Sequence, residues 1–314
     1  MFFIFKGDLM SGSHGGLFKR IIKNYELYIF LIPTLVYFTI FAYGPMYGLQ
    51  IAFKDFNGSL GFAGSPWVGF KHFKNFFDSY FFWVLIRNTV LLSLYSLVAG
   101  FPLPIILAIM LNEVRNLKIK KFVQTVTYMP HFISTVVLVG MLLILLSPST
   151  GIINYLLASL GLEPVYFMSR AGLFRHIYVW SGIWQHLGWS SIIYLAALSS
   201  VDMEQHEAAM IDGASRLQRI WHINIPAIVP TMVILFILNA GSIMNVGFEK
   251  VFLMQNDLNR ETSEVISTYV YQRGLIHANF SFSSAVGMFN NVINFTILLA
   301  VNYISKKVGE TSLF

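Results

Sequence analysis

One polar stretch, residues 201–226, interrupts two long apolar runs and limits what this chain can become. Four carboxylates (Asp202, Glu204, Glu207, Asp212), two arginines (Arg216, Arg219) and two histidines (His206, His222) fall inside it. Each flanking run is long enough to cross a bilayer, which takes about 20 apolar residues. Ionised side chains and irregular backbone are not held in hydrocarbon facing lipid. The stretch is therefore a loop outside the membrane, and its residues are not those of a passive linker. Residues 203–211 have the composition of a short helix. Asp212-Gly213 reads as a helix end, because glycine tolerates a left-handed backbone. Residues 214–222 read as a second helix, with Leu217, Ile220 and Trp221 on one face at three- and four-residue spacing. Pro226 stands where the next long helix is expected to begin, a position that tolerates its missing N–H. A helix-turn-helix projecting from a membrane suits docking on a soluble partner.

The rest of the chain agrees with a membrane setting. It is 56% hydrophobic and 11% charged, against about 25% charged in soluble domains. The expected fold class is an all-α membrane protein with six transmembrane helices, at about 25–53, 83–112, 122–146, 173–200, 227–248 and 281–305. Pro33, Pro45 and Pro130 lie inside these spans, which tolerate proline when neighbours satisfy the freed carbonyls. Outside the spans come an aromatic-rich loop (54–82), a short basic loop (113–121), a loop at 147–172 and a polar loop at 249–280. Residues 152–160 are apolar but too short to cross, so an interfacial or re-entrant helix is expected there. Residues 1–24 form a basic tail, with a Gly/Ser-rich patch at 11–16 expected to be disordered, and 308–314 form a short second tail. No secretory signal peptide stands out, and Met10 offers an alternative start. The 25–307 region is read as one six-helix transmembrane domain, with its core at 83–305.

Net charge is +6. In a membrane chain this reports orientation rather than nucleic acid, because short cytoplasmic loops collect Lys and Arg. With the N-terminus inside, twelve of the 21 Lys and Arg fall in the N-terminal tail, in the 113–121 and 201–226 loops and at Lys306-Lys307 after span six. The polar elbow then lies in the cytoplasm, as do both termini. The chain contains no Cys, which excludes disulfides, thiolate metal sites and Cys nucleophiles. His-Glu-x-x-His, Gly-x-x-x-x-Gly-Lys-Ser/Thr and Gly-x-Ser-x-Gly are all absent. Metalloprotease, phosphate-loop ATPase and serine hydrolase chemistry therefore have no motif here. No pair of carboxylates lies deep in a span, which argues against a proton relay.

The elbow also carries a family resemblance. Glu207, Ala208, Ala209, then Gly213 after three residues, Ile223 after nine more, and Pro226 match the cytoplasmic-loop signature of permease subunits in binding-protein-dependent ABC importers. Ile225 departs mildly, since the family more often has Leu there. Asp212, Gly213 and Ala214 fit the fuller form seen in sugar permeases. The chain resembles the maltose-type carbohydrate permeases over spans two to six. The resemblance implies a type I importer fold with a cytoplasmic coupling loop. It implies that Glu207, Ala208, Ala209, Met210, Asp212 and Gly213 sit in a cleft of the ATPase, with Glu207 pairing with a basic group and Asp212 capping the second helix. It also implies partners: two ABC ATPase subunits that bind ATP and Mg, a second and different permease chain, and a periplasmic solute-binding protein. This chain would be a non-catalytic subunit of the bacterial inner membrane without a cofactor of its own.

Polar and aromatic groups inside spans four and five are the candidates for the transport path. Trp184, Gln185, His186 and Trp189 lie in span four, and Asn239 and Ser242 share a face of span five. Amides offer paired donors and acceptors to sugar hydroxyls, and indoles stack on the C–H face of a sugar ring. By resemblance, His186, Trp189 and Asn239 fall close to the family's sugar-contacting places. The plainer role for such groups is interhelical packing and hydrogen bonding, which is also the expectation for Asn290, Asn291 and Asn294. The whole-chain character is nearest to permeases for oligo- or polysaccharides, an acidic one such as alginate included. Two other readings stay open from sequence: an ABC importer for a non-carbohydrate solute, and an ATPase-independent transporter or membrane enzyme.

Overall fold

The computed structural model describes residues 23–309, with side chains to Lys307. The tail patch at 11–16, Met10 and nearly all of the 308–314 tail lie outside those residues. The chain divides into two units, one ending at Ile51 and one beginning at Ala52. The first carries most of α1, a 29-residue apolar rod, Tyr25–Phe53. Pro33 sits inside the rod and Thr39–Tyr43 is wound as a π-turn. Its apolar side chains are exposed on every face, as with Phe30 (82% exposed).

Among its described residues the regular secondary structure of the second unit is helical, with turns and loops between helices, apart from one isolated bridge between Lys54 and Trp67. Helix α2 (Lys71–Phe77) precedes α3 (Phe81–Gly100) and α4 (Pro102–Glu113), which run together as a 32-residue apolar rod, Phe82–Glu113. Next come α5 (Leu117–Tyr128), α6 (Thr135–Leu145), α7 (Ile152–Ser159) and α8 (Ala171–Ser199). The elbow opens with α9 (Met203–Ile211) and continues into α10 (Arg216–Ala240). After it stand α11 (Phe248–Met254), α12 (Ile266–Tyr271) and α13 (Phe280–Gly309).

Four described helices are long and apolar enough to cross a membrane, and a fifth crossing follows if the bent pair α5–α6 counts as one. The expected fourth span is α8, whose 29 residues would reach about 43 Å at about 1.5 Å per residue. Its Arg175, His176, Gln185 and His186 make it more polar than the others.

Three expectations need correcting. The third span is not straight: Leu117–Phe132 and Thr135–Leu145 meet at 99°. Pro130 supplies no N–H, and Ser134 caps a fresh helix by accepting from the Val137 N–H (3.3 Å). The polar segment after span five is not a plain loop, since α11 and α12 form inside it. The fifth helix stops at Ala240 rather than 248. The aromatic-rich segment 54–82 also reaches the interior, where Phe76 is fully buried against Phe82, Phe282 and Phe289. The expected short helix at 152–160 is present as α7, pinned by buried Asn154, which donates to the carbonyls of Ser147 and Val165.

Packing follows membrane rules, where close backbone approach replaces water-driven burial. At Gly188 of α8 a Cβ would lie 2.2 Å from the Thr127 carbonyl oxygen, so α8 and α5 touch backbone to backbone. One apolar cluster joins α4, α8 and α10 through Ile105, Ala108, Tyr194, Leu198 and Ile228. A second joins α3, α6, α8 and α11 through Leu92, Val139, Val179 and Val251. Asn245 accepts from Asn290 (2.9 Å) and Asn294 (3.0 Å), tying the end of α10 to α13. Asn290 and Asn294 thus have partners in the turn that follows α10, whereas Asn291 is exposed.

Candidate functional site

The elbow is built by local rules. Asp202 caps α9, accepting from the Glu204 N–H (3.0 Å). Gly213 closes it with φ +80°. Its N–H donates to the Met210 carbonyl (3.1 Å), and that of Ala214 donates to Ala209 (2.8 Å). This is the paired closure that a left-handed residue after a helix allows. Ser215 then caps the second limb by a reciprocal bond with Gln218. The capping role expected of Asp212 therefore belongs to Ser215, and Asp212 ends α9 instead.

The second limb is not a separate helix. It runs through a π-turn at Ile220–Asn224 straight into the span, as one 25-residue rod. The wider turn passes the Ile225 N–H to Ile220 just ahead of Pro226, whose missing N–H would otherwise leave a gap in the ladder. Pro226 therefore lies inside the helix. The elbow is rigidly continuous with α10. At its base the Glu113 carboxylate at the end of α4 meets Arg216 Nε (3.3 Å) and accepts from Asn224 Nδ2 (3.3 Å). Asn224 is fully buried.

Glu207, Ala208, Met210, Asp212 and Gly213 are exposed on the elbow, and Ala209 is half-buried. Ile211 (86% exposed), Leu217 and Trp221 add bare apolar surface around them. Exposed apolar side chains grouped around a charged helix end form the kind of surface that solvated loops seldom present.

The second feature is a half-open cavity of about 890 Å³ lined by residues of α3, α4, α8, α10 and α11. Gln185, His186, Trp189, Asn239 and Ser242 all line it, together with Asn245, Ser93 and Ser96. Trp184 does not: it is 48% exposed on another face of α8. Several of the polar groups have partners inside the protein, Ser96 and Ser242 bonding to carbonyls of their own helix turns. Gln185 Nε2 donates to the Ile133 carbonyl (2.7 Å), which the bend between α5 and α6 leaves open. Asn239 Nδ2 donates to Leu235 O (2.7 Å). Trp189 stacks one face on His131 at 4.5 Å with planes 3° apart. His131 and His186 share a hydrogen bond between their Nδ1 atoms (3.1 Å).

Lys250 also lines the cavity, and the sequence reading passed over it by placing it in an outer loop. A signal was present: Gly247, Lys250, Val251 and Met254 recur at helical spacing, which puts the lysine on the inward face of α11.

These two features can be set beside known proteins. The family model for the binding-protein-dependent transport system inner membrane component matches residues 100–310. The chain belongs to this family. It is thus an inner-membrane permease of ABC importers, a non-catalytic subunit that works with a binding protein and with ATPase partners. Protein LplB of Bacillus subtilis (strain 168) is 47% identical over 288 residues, covering 92% of this chain and 91% of that protein. The polygalacturonan/rhamnogalacturonan transport system permease protein YteP of the same organism is 43% identical over 298 residues, covering 95% and 93%. A chain from the crystal structure of a bacterial alginate ABC transporter, in complex with an alginate pentasaccharide-bound periplasmic protein, aligns with TM-score 0.87 and 43% identity. That alignment covers 95% of this chain and 99% of the other.

Proposed function

We propose that this permease forms half of the path by which an ATP-driven importer takes up an oligo- or polysaccharide, with uronate-bearing chains as the cargo class. The observation that carries this reading is the cavity wall. It combines an indole, amides and hydroxyls, and its single full cation, Lys250, meets no carboxylate among the lining residues. Such a wall suits a hydroxyl-rich, anionic ligand: hydroxyls pair with amides, sugar faces stack on aromatic rings, and a cation attracts acid groups. The relatives named for polygalacturonan and alginate transport support the same class.

In this reading Gln185, His186, Trp189, Asn239 and Ser242 border the cargo, while Trp184 faces elsewhere. The elbow, with Glu207, Ala208, Ala209, Met210, Asp212 and Gly213, seats in the cytoplasmic ATPase, which binds the ATP and Mg. A second, different permease chain closes the other half of the path. Closure of the ATPase pair moves the elbow, and the continuous α10 rod carries that movement to the cavity.

The test is uptake in proteoliposomes holding both permeases and the ATPase, with the loaded binding protein inside or outside. Oligogalacturonate or oligoalginate should enter only with ATP inside the ATPase-facing compartment. Transport of phosphate or amino acids instead, or transport without ATP, would overturn the reading.

A further inference from the structure

The wall of the cavity contains one charge that the fold does not use up. Lys250 lies in the first turn of α11 and is 8% exposed. Its Nζ donates to the Tyr178 carbonyl (2.9 Å) and lies 4.8 Å from the centre of the Tyr178 ring. An ammonium has three N–H donors, and one protein carbonyl takes one of them. Among the described residues no Asp or Glu forms an ion pair with it; the ion pairs present involve Asp55, Glu113 and Glu264. A buried cation without a counter-charge costs free energy that an apolar side chain would not. Partial compensation from a carbonyl and an aromatic face holds the group in place without neutralising it.

The site is also shaped for the lysine. It reaches α8 at Gly182, where a Cβ would stand 3.2 Å from Nζ. Tyr178, which carries the accepting carbonyl, has its hydroxyl 3.2 Å from where a Cβ on Gly247 would be. Two glycines thus leave the room in which the lysine and its tyrosine lie against α8. Trp189 and Asn239 border the same cavity, so a ligand spanning it meets a stacking face, an amide and a cation.

We infer that Lys250 is a carboxylate subsite of the transport path, reading the acid group of a uronate residue as the cargo passes. The missing counter-charge comes from the cargo. This rests on the saccharide reading above and adds the residue that distinguishes an acidic chain from a neutral one. Because the ammonium stays held by Tyr178, the contact is a single charge-assisted bond, strong enough to select and weak enough to release.

The experiment uses the whole transporter in proteoliposomes with oligogalacturonate and oligomannuronate as probes, and compares wild type with Lys250→Gln and Lys250→Arg. Variants are first checked for equal recovery with the partner permease and ATPase. Loss of one charge-assisted bond predicts that Lys250→Gln lowers uptake of the acidic probe about tenfold or more, while Lys250→Arg keeps most of it. In wild type trapped with loaded binding protein and vanadate, carbodiimide should join the probe's carboxyl to Lys250 as an amide, found by mass spectrometry. Normal uptake in Lys250→Gln, equal loss in both variants, or no amide at Lys250 would overturn the subsite and leave the cargo class standing. Wild type that takes up neither acidic probe would overturn the cargo class itself, and the subsite with it.

Discussion

At the scale of single residues, Gly213 decides whether the elbow has a corner. Its φ of +80° costs an L side chain about 1–2 kcal/mol. A Cβ there would meet nothing within 4 Å, so the penalty is conformational and not steric. Asparagine enters this region more readily than a β-branched residue does. Gly213→Val should therefore reduce co-purification of the ATPase subunits about tenfold, at about 1.4 kcal/mol per tenfold. Gly213→Asn should lose less, and membrane levels of both should match wild type. Equal capture by all three would show that the turn does not set the docking geometry. Glu207 has no ion-pair partner among the described residues. Reversing its charge in Glu207→Lys should leave the fold intact and abolish ATPase capture; capture at the wild-type level would remove Glu207 from the interface. The elbow was legible because its capping, turn and charge signals are local. Lys250 was legible only in part: helical spacing places it on the inward face of α11, but no local pattern specifies that α11 folds back against Tyr178 of α8.

At the scale of elements, Glu113 is the joint. It receives Arg216 from the elbow and Asn224 from the buried π-turn, while its own helix α4 packs along α8 and lines the cavity through Pro104. A push on the elbow thus reaches the cavity wall by two rods, α10 directly and α4 through this carboxylate. Glu113→Ala should let ATP hydrolysis continue with uptake reduced several-fold, since it leaves buried Asn224 short of a partner and frees Arg216. Glu113→Arg combined with Arg216→Glu should recover part of the coupling. No recovery, together with normal uptake in Glu113→Ala, would make the contact incidental. Close packing gives a second test: Gly188→Ala places a Cβ inside contact distance of Thr127 and should lower stability by about 1–3 kcal/mol in a detergent melt. The long apolar helices could be read from periodicity and length alone. The 99° bend could not, even with Pro130 in view. A proline inside a span either kinks it or ends it, and the outcome here depends on Ser134 and on Gln185 of α8 taking up the freed backbone groups.

At the scale of the whole molecule, sidedness reduces to one binary choice. The rod Phe82–Glu113 has 32 residues and would extend about 48 Å at about 1.5 Å per residue, more than the hydrocarbon thickness of about 30 Å. One end, at Glu113, is bound to the elbow through Arg216 and Asn224. Near the other end, Asn88 donates to the carbonyls of Glu261 and Glu264 and accepts from Arg175. The contacts therefore fix two groups of segments on opposite sides: the 113–121 loop with the elbow, and the segment around 261 with the start of α8. Charge alone then says which group is inside. The chain has no native Cys, so single-cysteine variants give an unambiguous readout. Leu117→Cys and Ile211→Cys, at positions 68% and 86% exposed, should react with an impermeant maleimide only after permeabilisation. Leu160→Cys and Leu258→Cys, at 75% and 72%, should react in intact spheroplasts. Because the two ends of one rod cannot share a side, labelling of Ile211→Cys from outside would invert the entire map and separate the elbow from any cytoplasmic ATPase.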